Sequence, residues 1–266
     1  MVNTLGSPQN PPLVFLHGFL GSRASWRQVA CRLSRLYFCI LPDLPGHGEN
    51  PWPLEASLDF EIVNDWLLRL LETFSAPKIH LAGYSLGGRA ELNFACRYPQ
   101  RILTLTLEST SPGIPEACER ARRLEEDSAR AELLLREGLP AFLESWYAMP
   151  LFASLQARPA LRAALKKAAV QNDPRQMAKV IRALSPGLQA PLWNCLPALD
   201  FPVLLIAGEQ DKKYVQVTRQ MAAKMPTAHH VIVPGCGHNV HAEQPQILIT
   251  PLRQHLDENS ARQKLS

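Results

Sequence analysis

The sequence has no long apolar run. Nowhere in its 266 residues does an apolar stretch approach the roughly 20 residues that cross a bilayer. Residues 1–10 are polar and carry Gly and Pro, so no secretory leader is expected there. The six cysteines (Cys31, Cys39, Cys96, Cys118, Cys195, Cys236) show no C-x-x-C spacing. Neither a zinc site nor a disulfide framework is therefore expected, and a reduced, cytoplasmic protein is the default reading. Net charge is only +4, and no basic run is interleaved with aromatics, which argues against nucleic acid as a partner. Repeats and low-complexity tracts are also missing. With 46% hydrophobic and 20% charged residues, the chain is an ordinary globular one, long enough for one large domain or one with an insertion.

What the sequence does have is alternation. Short, nearly continuous apolar runs at residues 13–17, 38–41, 79–83, 102–107, 203–207 and 230–233 read as strands covered on both faces. Amphipathic stretches near 25–36, 57–74, 86–97, 214–224 and 245–256 read as the helices between them. This order predicts an α/β fold with a mostly parallel sheet. Few residues precede the first strand, leaving little room for an N-terminal antiparallel hairpin. Residues 112–196 break the pattern and read as helices only, around 115–137, 139–146, 159–170 and 174–184. The expected organisation is an α/β core of residues 1–111 and 197–266, with 112–196 as a helical cap. Ligands in open α/β sheets bind outside the carboxyl ends of the strands, where such a cap would roof them. The polar tail after Asp257 is expected to fray.

The most informative local pattern is Gly83-Tyr84-Ser85-Leu86-Gly87, lying between an apolar run and a helical one. Strand, G-x-S-x-G, then helix describes a nucleophile elbow, a turn that holds a serine hydroxyl above the sheet. Serine needs a base. His238, in Pro234-Gly235-Cys236-Gly237-His238 beyond the last strand, is the candidate. The orienting acid should fall between them in the chain. Asp211, just past a strand end, is better placed than its competitor Glu108, although an Asp there also suits a helix N-cap. Two backbone N–H groups, of Leu86 and of Phe19 in the loop after the first strand, are the candidate oxyanion donors. His17 and His47 read as loop-building residues.

Arg89 narrows the chemistry. Four residues after Ser85 on one helix, it starts on the nucleophile's face, and a buried guanidinium asks for an anionic partner that it can grip bidentately. Arg120, Arg122, Arg123, Lys166 and Lys167 supply further cations in the cap, and spacing alone does not choose among them.

These elements resemble the α/β-hydrolase superfamily over nearly the whole chain. Several strings are similar to one family within it: Leu16-His17-Gly18-Phe19, Asp43-Leu44-Pro45-Gly46-His47-Gly48, and the elbow extended through Gly88-Arg89. So are Glu108-Ser109-Thr110-Ser111-Pro112-Gly113, Trp146-Tyr147 with Phe152-Ala153-Ser154-Leu155, and Gly237-His238-Asn239-Val240-His241. The family is 2-succinyl-6-hydroxy-2,4-cyclohexadiene-1-carboxylate synthase, of menaquinone and phylloquinone biosynthesis. The resemblance implies a pyruvate-eliminating lyase acting on a small polycarboxylate, with Ser85, Asp211 and His238 abstracting a ring proton. It implies Tyr84, Arg89, Arg123 and Trp146 as substrate contacts, and no metal or organic cofactor. The sequence departs from the pattern at one further cap arginine. Lys166-Lys167 stands there, with Lys167 as the expected contact, able to supply charge but not the fork.

Two other readings stand beside it. One is a serine esterase or carbon–carbon bond hydrolase on a carboxylated substrate; the other is a non-catalytic ligand receptor on the same fold, against which retention of all three triad residues argues.

Overall fold

A computed structural model of the chain describes residues 2–263. Seven strands form one sheet in the order β1-β3-β2-β4-β5-β6-β7. They are β1 (Val2–Leu5), β2 (Pro12–Leu16), β3 (Phe38–Pro42), β4 (Ile79–Tyr84), β5 (Ile102–Glu108), β6 (Val203–Gly208) and β7 (Ala228–Val233). Every pairing is parallel except β1 with β3. The six apolar runs are all strands. The seventh, β1, is not expected from the sequence: it forms no hairpin with β2 but pairs antiparallel with β3, Val2 opposite Pro42 and Leu5 opposite Cys39. No hairpin is needed, because the chain crosses to the outer edge of β3 before returning as β2.

The period of two along the strands sorts side chains between two cores. Val14 and Leu16 face one core, with Leu81, Leu105 and Leu205, covered by α2 (Phe60–Thr73) and α3 (Leu86–Arg97). Leu13 and Phe15 face the other, with Leu204 and Ile206, covered by α1 (Arg27–Leu33) and α9 (Pro245–Gln263). Both faces of the sheet are buried, as an α/β architecture requires. Helix α9 extends past Asp257 to Gln263; the rest of that tail, 264–266, lies outside the described residues.

Between β5 and β6 the chain forms helices only: α4 (Ala117–Ala148), α5 (Pro159–Ala169) and α6 (Pro174–Ala183), with two short 3-10 segments. Helix α4 is broken at Gly138, whose φ of 77° is a backbone state that glycine tolerates and other residues seldom do. Asp173 caps α6, accepting from the Gln176 N–H at 2.9 Å, with Pro174 in the first turn. Against the expectation of free thiols, Cys96 at the end of α3 is joined to Cys195 just before β6, 99 residues away. No spacing motif signals a pair so far apart. Among the described residues no helix is long and apolar enough to cross a membrane.

Candidate active site

The elbow is built where β4 ends. Ser85 adopts φ 52° and ψ −106°, a region costly for a residue with a Cβ, and its surroundings hold it there. Its N–H donates to the Glu108 carbonyl at 2.9 Å, and its carbonyl accepts from the Thr110 hydroxyl at 2.9 Å. The close approach needs Gly87, where a Cβ would collide with the Leu16 and His17 carbonyl oxygens.

The structure brings the three expected residues into one hydrogen-bonded series. His238 Nε2 lies 3.2 Å from Ser85 Oγ, and His238 Nδ1 lies 2.6 Å from Asp211 Oδ2. With Nδ1–H donating to the Asp211 carboxylate, Nε2 is left to accept from the serine hydroxyl. Asp211 also caps α7 (Lys212–Ala222): its Oδ1 accepts from the Tyr214 N–H at 3.3 Å. One oxygen of the side chain thus caps the helix while the other holds the His238 ring. Glu108 instead accepts from the ring and the backbone N–H of His241, at 2.9 and 3.1 Å.

The loop carrying His238 is held by Glu243 of the short helix α8 (Val240–Glu243). Glu243 accepts from the Gly237 N–H at 3.1 Å and from the Ser154 hydroxyl at 3.0 Å. The Phe-Ala-Ser-Leu string therefore secures the histidine loop from the far side of the chain. His17 is a loop builder: Nδ1 lies 2.8 Å from the Gly18 carbonyl, and Nε2 accepts from the Leu44 N–H at 3.0 Å. Burial pushes its pKa down to about 4, so the ring stays neutral, as an accepting Nε2 requires.

Ser85, His238 and Asp211 open on a cavity of about 830 Å³ whose wall includes Phe19, Tyr84, Leu86, Arg89, Arg123 and Trp146. Trp146 stacks on Phe142, with centroids 5.6 Å apart, and meets Phe19 edge-on at 5.2 Å. Burial, then Glu108, raises the Tyr84 phenol well above its ordinary value, so it stays protonated. Arg89 is in the wall, not in bulk water. Its Nη1 donates to Gln189 Oε1 at 3.1 Å, and its guanidinium lies 5.4 Å over the Phe60 ring. No carboxylate among the described residues forms an ion pair with it; burial and then the neighbouring Arg123 push its pKa down to about 10.

Lys167 is a correction. It is exposed and absent from the cavity wall, to which α5 contributes Ala164, Leu165 and Ala168. At about 3.6 residues per turn, that stripe leaves Lys167 to one side, while Lys166 pairs with Glu144. Three residues join the site that sequence reasoning missed. The Tyr214 ring packs 4.7 Å from the His238 ring, Gln189 holds Arg89, and Arg130 lines the cavity from α4. Tyr214 follows Asp211 by three residues and could have been found as a first-turn neighbour; Gln189 has no such signal. Among the described residues, no group of three or more His, Cys, Asp or Glu is arranged to hold a metal ion.

A sheet of this order, with a serine elbow at the end of β4 and a histidine after β7, defines an α/β-hydrolase-fold protein; the sequence model of the alpha/beta hydrolase fold matches residues 11–245. The chain is 39% identical over 254 residues to 2-succinyl-6-hydroxy-2,4-cyclohexadiene-1-carboxylate synthase of Klebsiella pneumoniae, covering 94% of this chain and 96% of that one. It superposes on the structure of MenH from S. aureus with a TM-score of 0.92 at 32% identity, covering 97% and 98% of the two chains. It is also 32% identical over 258 residues to the chloroplastic protein PHYLLO of Arabidopsis thaliana, matching 91% of this chain and 15% of that longer protein. The chain belongs to the 2-succinyl-6-hydroxy-2,4-cyclohexadiene-1-carboxylate synthase family of α/β-hydrolase-fold enzymes.

Proposed function

We propose that the protein is a carbon–oxygen lyase that eliminates pyruvate from 2-succinyl-5-enolpyruvyl-6-hydroxy-3-cyclohexene-1-carboxylate, a step of menaquinone or phylloquinone biosynthesis. The product is 2-succinyl-6-hydroxy-2,4-cyclohexadiene-1-carboxylate. The observation that carries this reading is Arg89, a half-buried guanidinium with no ion-paired carboxylate among the described residues, in the cavity that holds Ser85 and His238. A cation so placed is stabilised by an anionic ligand, and the substrate brings several carboxylates.

In the reaction Ser85 Oγ takes the ring proton while passing its own to His238 Nε2, and Asp211 steadies the resulting imidazolium. The electron pair left on the ring shifts through the ring double bond and breaks the bond to the enol ether oxygen. The departing enolate collects the proton from His238 and becomes pyruvate, so no water is consumed. The Phe19 and Leu86 amides stabilise oxyanion charge that develops meanwhile. Arg89, Arg123, Tyr84 and Trp146 hold the substrate, with residues 112–196 as the cap over it.

The test is direct. Purified protein is incubated with the precursor and pyruvate is followed by a coupled dehydrogenase; no release above the spontaneous rate overturns the assignment. The same series of Ser85, His238 and Asp211 also suits acyl transfer, which would incorporate oxygen from labelled water into product and leave a covalent acyl-enzyme on Ser85.

A further inference from the structure

Beyond the Ser85–His238 pair, a charged cluster on the cavity wall centres on Asp127 of α4. Its carboxylate is fully buried and every contact is made by an inward-pointing donor. Oδ2 accepts from Arg123 Nε at 2.8 Å and from the Ser185 hydroxyl at 2.7 Å, while Oδ1 accepts from Arg130 Nη1 at 2.7 Å. Arg130 is spent on the protein, since its Nη2 goes to Glu126 at 3.2 Å. Arg123 is held differently. Its ion pair runs through Nε alone, so its two terminal nitrogens stay available at the cavity wall. A guanidinium gripped at Nε loses its rotational freedom yet keeps the paired Nη edge that meets a carboxylate in the bidentate mode.

We propose that Asp127 is a positioning residue: buried and locked by Ser185 and Arg130, it aims the Nη edge of Arg123 into the cavity, and so sets affinity for polycarboxylates. This rests on Arg123 being a substrate contact, as read above. Asp127 touches no substrate. It acts by having the entropy of Arg123 ordered before the ligand arrives.

The proposal makes an unusual prediction of sign. By charge alone, neutralising a carboxylate beside two guanidiniums strengthens anion binding. If orientation governs, Asp127→Asn weakens it. Tricarballylate, a simple tricarboxylate, is titrated calorimetrically into wild type, D127N, Arg123→Ala and the double variant, and pyruvate release is measured on each. Displaced catalytic or binding groups commonly cost one to two orders of magnitude, so D127N is expected to weaken tricarballylate about tenfold and raise KM similarly, with kcat nearly unchanged. The double variant should match R123A, because a group that acts through Arg123 has nothing left to act on once it is gone. Binding by D127N equal to or tighter than wild type overturns the proposal, and so does additivity of the two substitutions. Should D127N fail to fold, Ser185→Ala, which removes one bond to the same oxygen, must weaken tricarballylate in the same direction or the proposal falls. Wild type that binds tricarballylate but releases no pyruvate overturns the assigned reaction while the binding arm still judges Asp127; wild type that binds none overturns the proposal itself.

Discussion

Glu108 Oε1 lies 2.9 Å from Nδ1 of His241, leaving the His238 ring to Asp211. Two acids at adjacent strand ends thus each serve a different imidazole. Asp211→Asn is expected to lower kcat by about 10⁴, because an amide no longer selects the tautomer with a free Nε2. Glu108→Gln should cost less than roughly tenfold in kcat, its loss falling on the His241 loop and on thermal stability. Steady-state pyruvate release with matched thermal denaturation separates the two; equal loss of kcat in both variants would reverse the assignment.

Arg89→Ala is expected to reduce kcat/KM by about 10²–10³, the loss of a charge-assisted bidentate contact and of its burial-strengthened field. Arg89→Lys should restore only part, since an ammonium cannot keep Gln189 and reach a carboxylate as the fork does. Full recovery with lysine would make the site a simple charge requirement.

Lys167→Ala should leave KM within about twofold of wild type, as expected for an exposed charge outside the cavity wall. Arg123→Ala should raise KM by tenfold or more. A large KM effect at Lys167 would mean that α5 rotates or closes in the working enzyme.

Glu91 is fully buried behind the elbow, and burial holds its carboxyl far above the ordinary range. The folded chain therefore keeps a proton there that the unfolded chain gives up, and this group's contribution to stability falls as pH rises above about 4.5. Glu91→Gln, of the same shape but without a charge to desolvate, should raise Tm at pH 8 and change it little at pH 4. A destabilised variant at pH 8 would show that the acidic proton itself makes a needed hydrogen bond.

His17, His80 and His255 carry the opposite sign. Burial lowers each to about 4, so between about 4 and 6.5 the unfolded chain binds protons that the folded chain refuses. Stability from these three is complete above pH 6.5 and is lost as pH falls towards 4. Measured in the E91Q background, where the competing carboxyl is gone, Tm should drop steadily across that window. A flat profile would place the ring protons elsewhere.

Much of the fold was legible because its signals are local. Continuous apolar runs of strand length mark buried strands, and the 3.6-residue stripe marks the helices packed on them. Even the break at Gly138, between two expected helices, carries its own residue type. The elbow was legible for the same reason: Gly87 must lack a Cβ wherever a strand turns so sharply into a helix. Asp211 and His238 could be placed by their order in the chain together with their positions just past strand ends.

What stayed hidden depends on which distant surfaces meet. The pairing of β1 with β3, the bond between Cys96 and Cys195 and the grip of Gln189 on Arg89 leave no periodic trace. Lys167 illustrates the limit: composition and resemblance bring a cation to α5, yet the helix's rotation about its axis, set by how Leu161, Leu165 and Ala169 pack, turns it outward. Chain order specifies which residues are near in sequence and how each prefers to bend. Which side chains share a cavity is decided by packing between elements, an energy that no short stretch of sequence carries by itself.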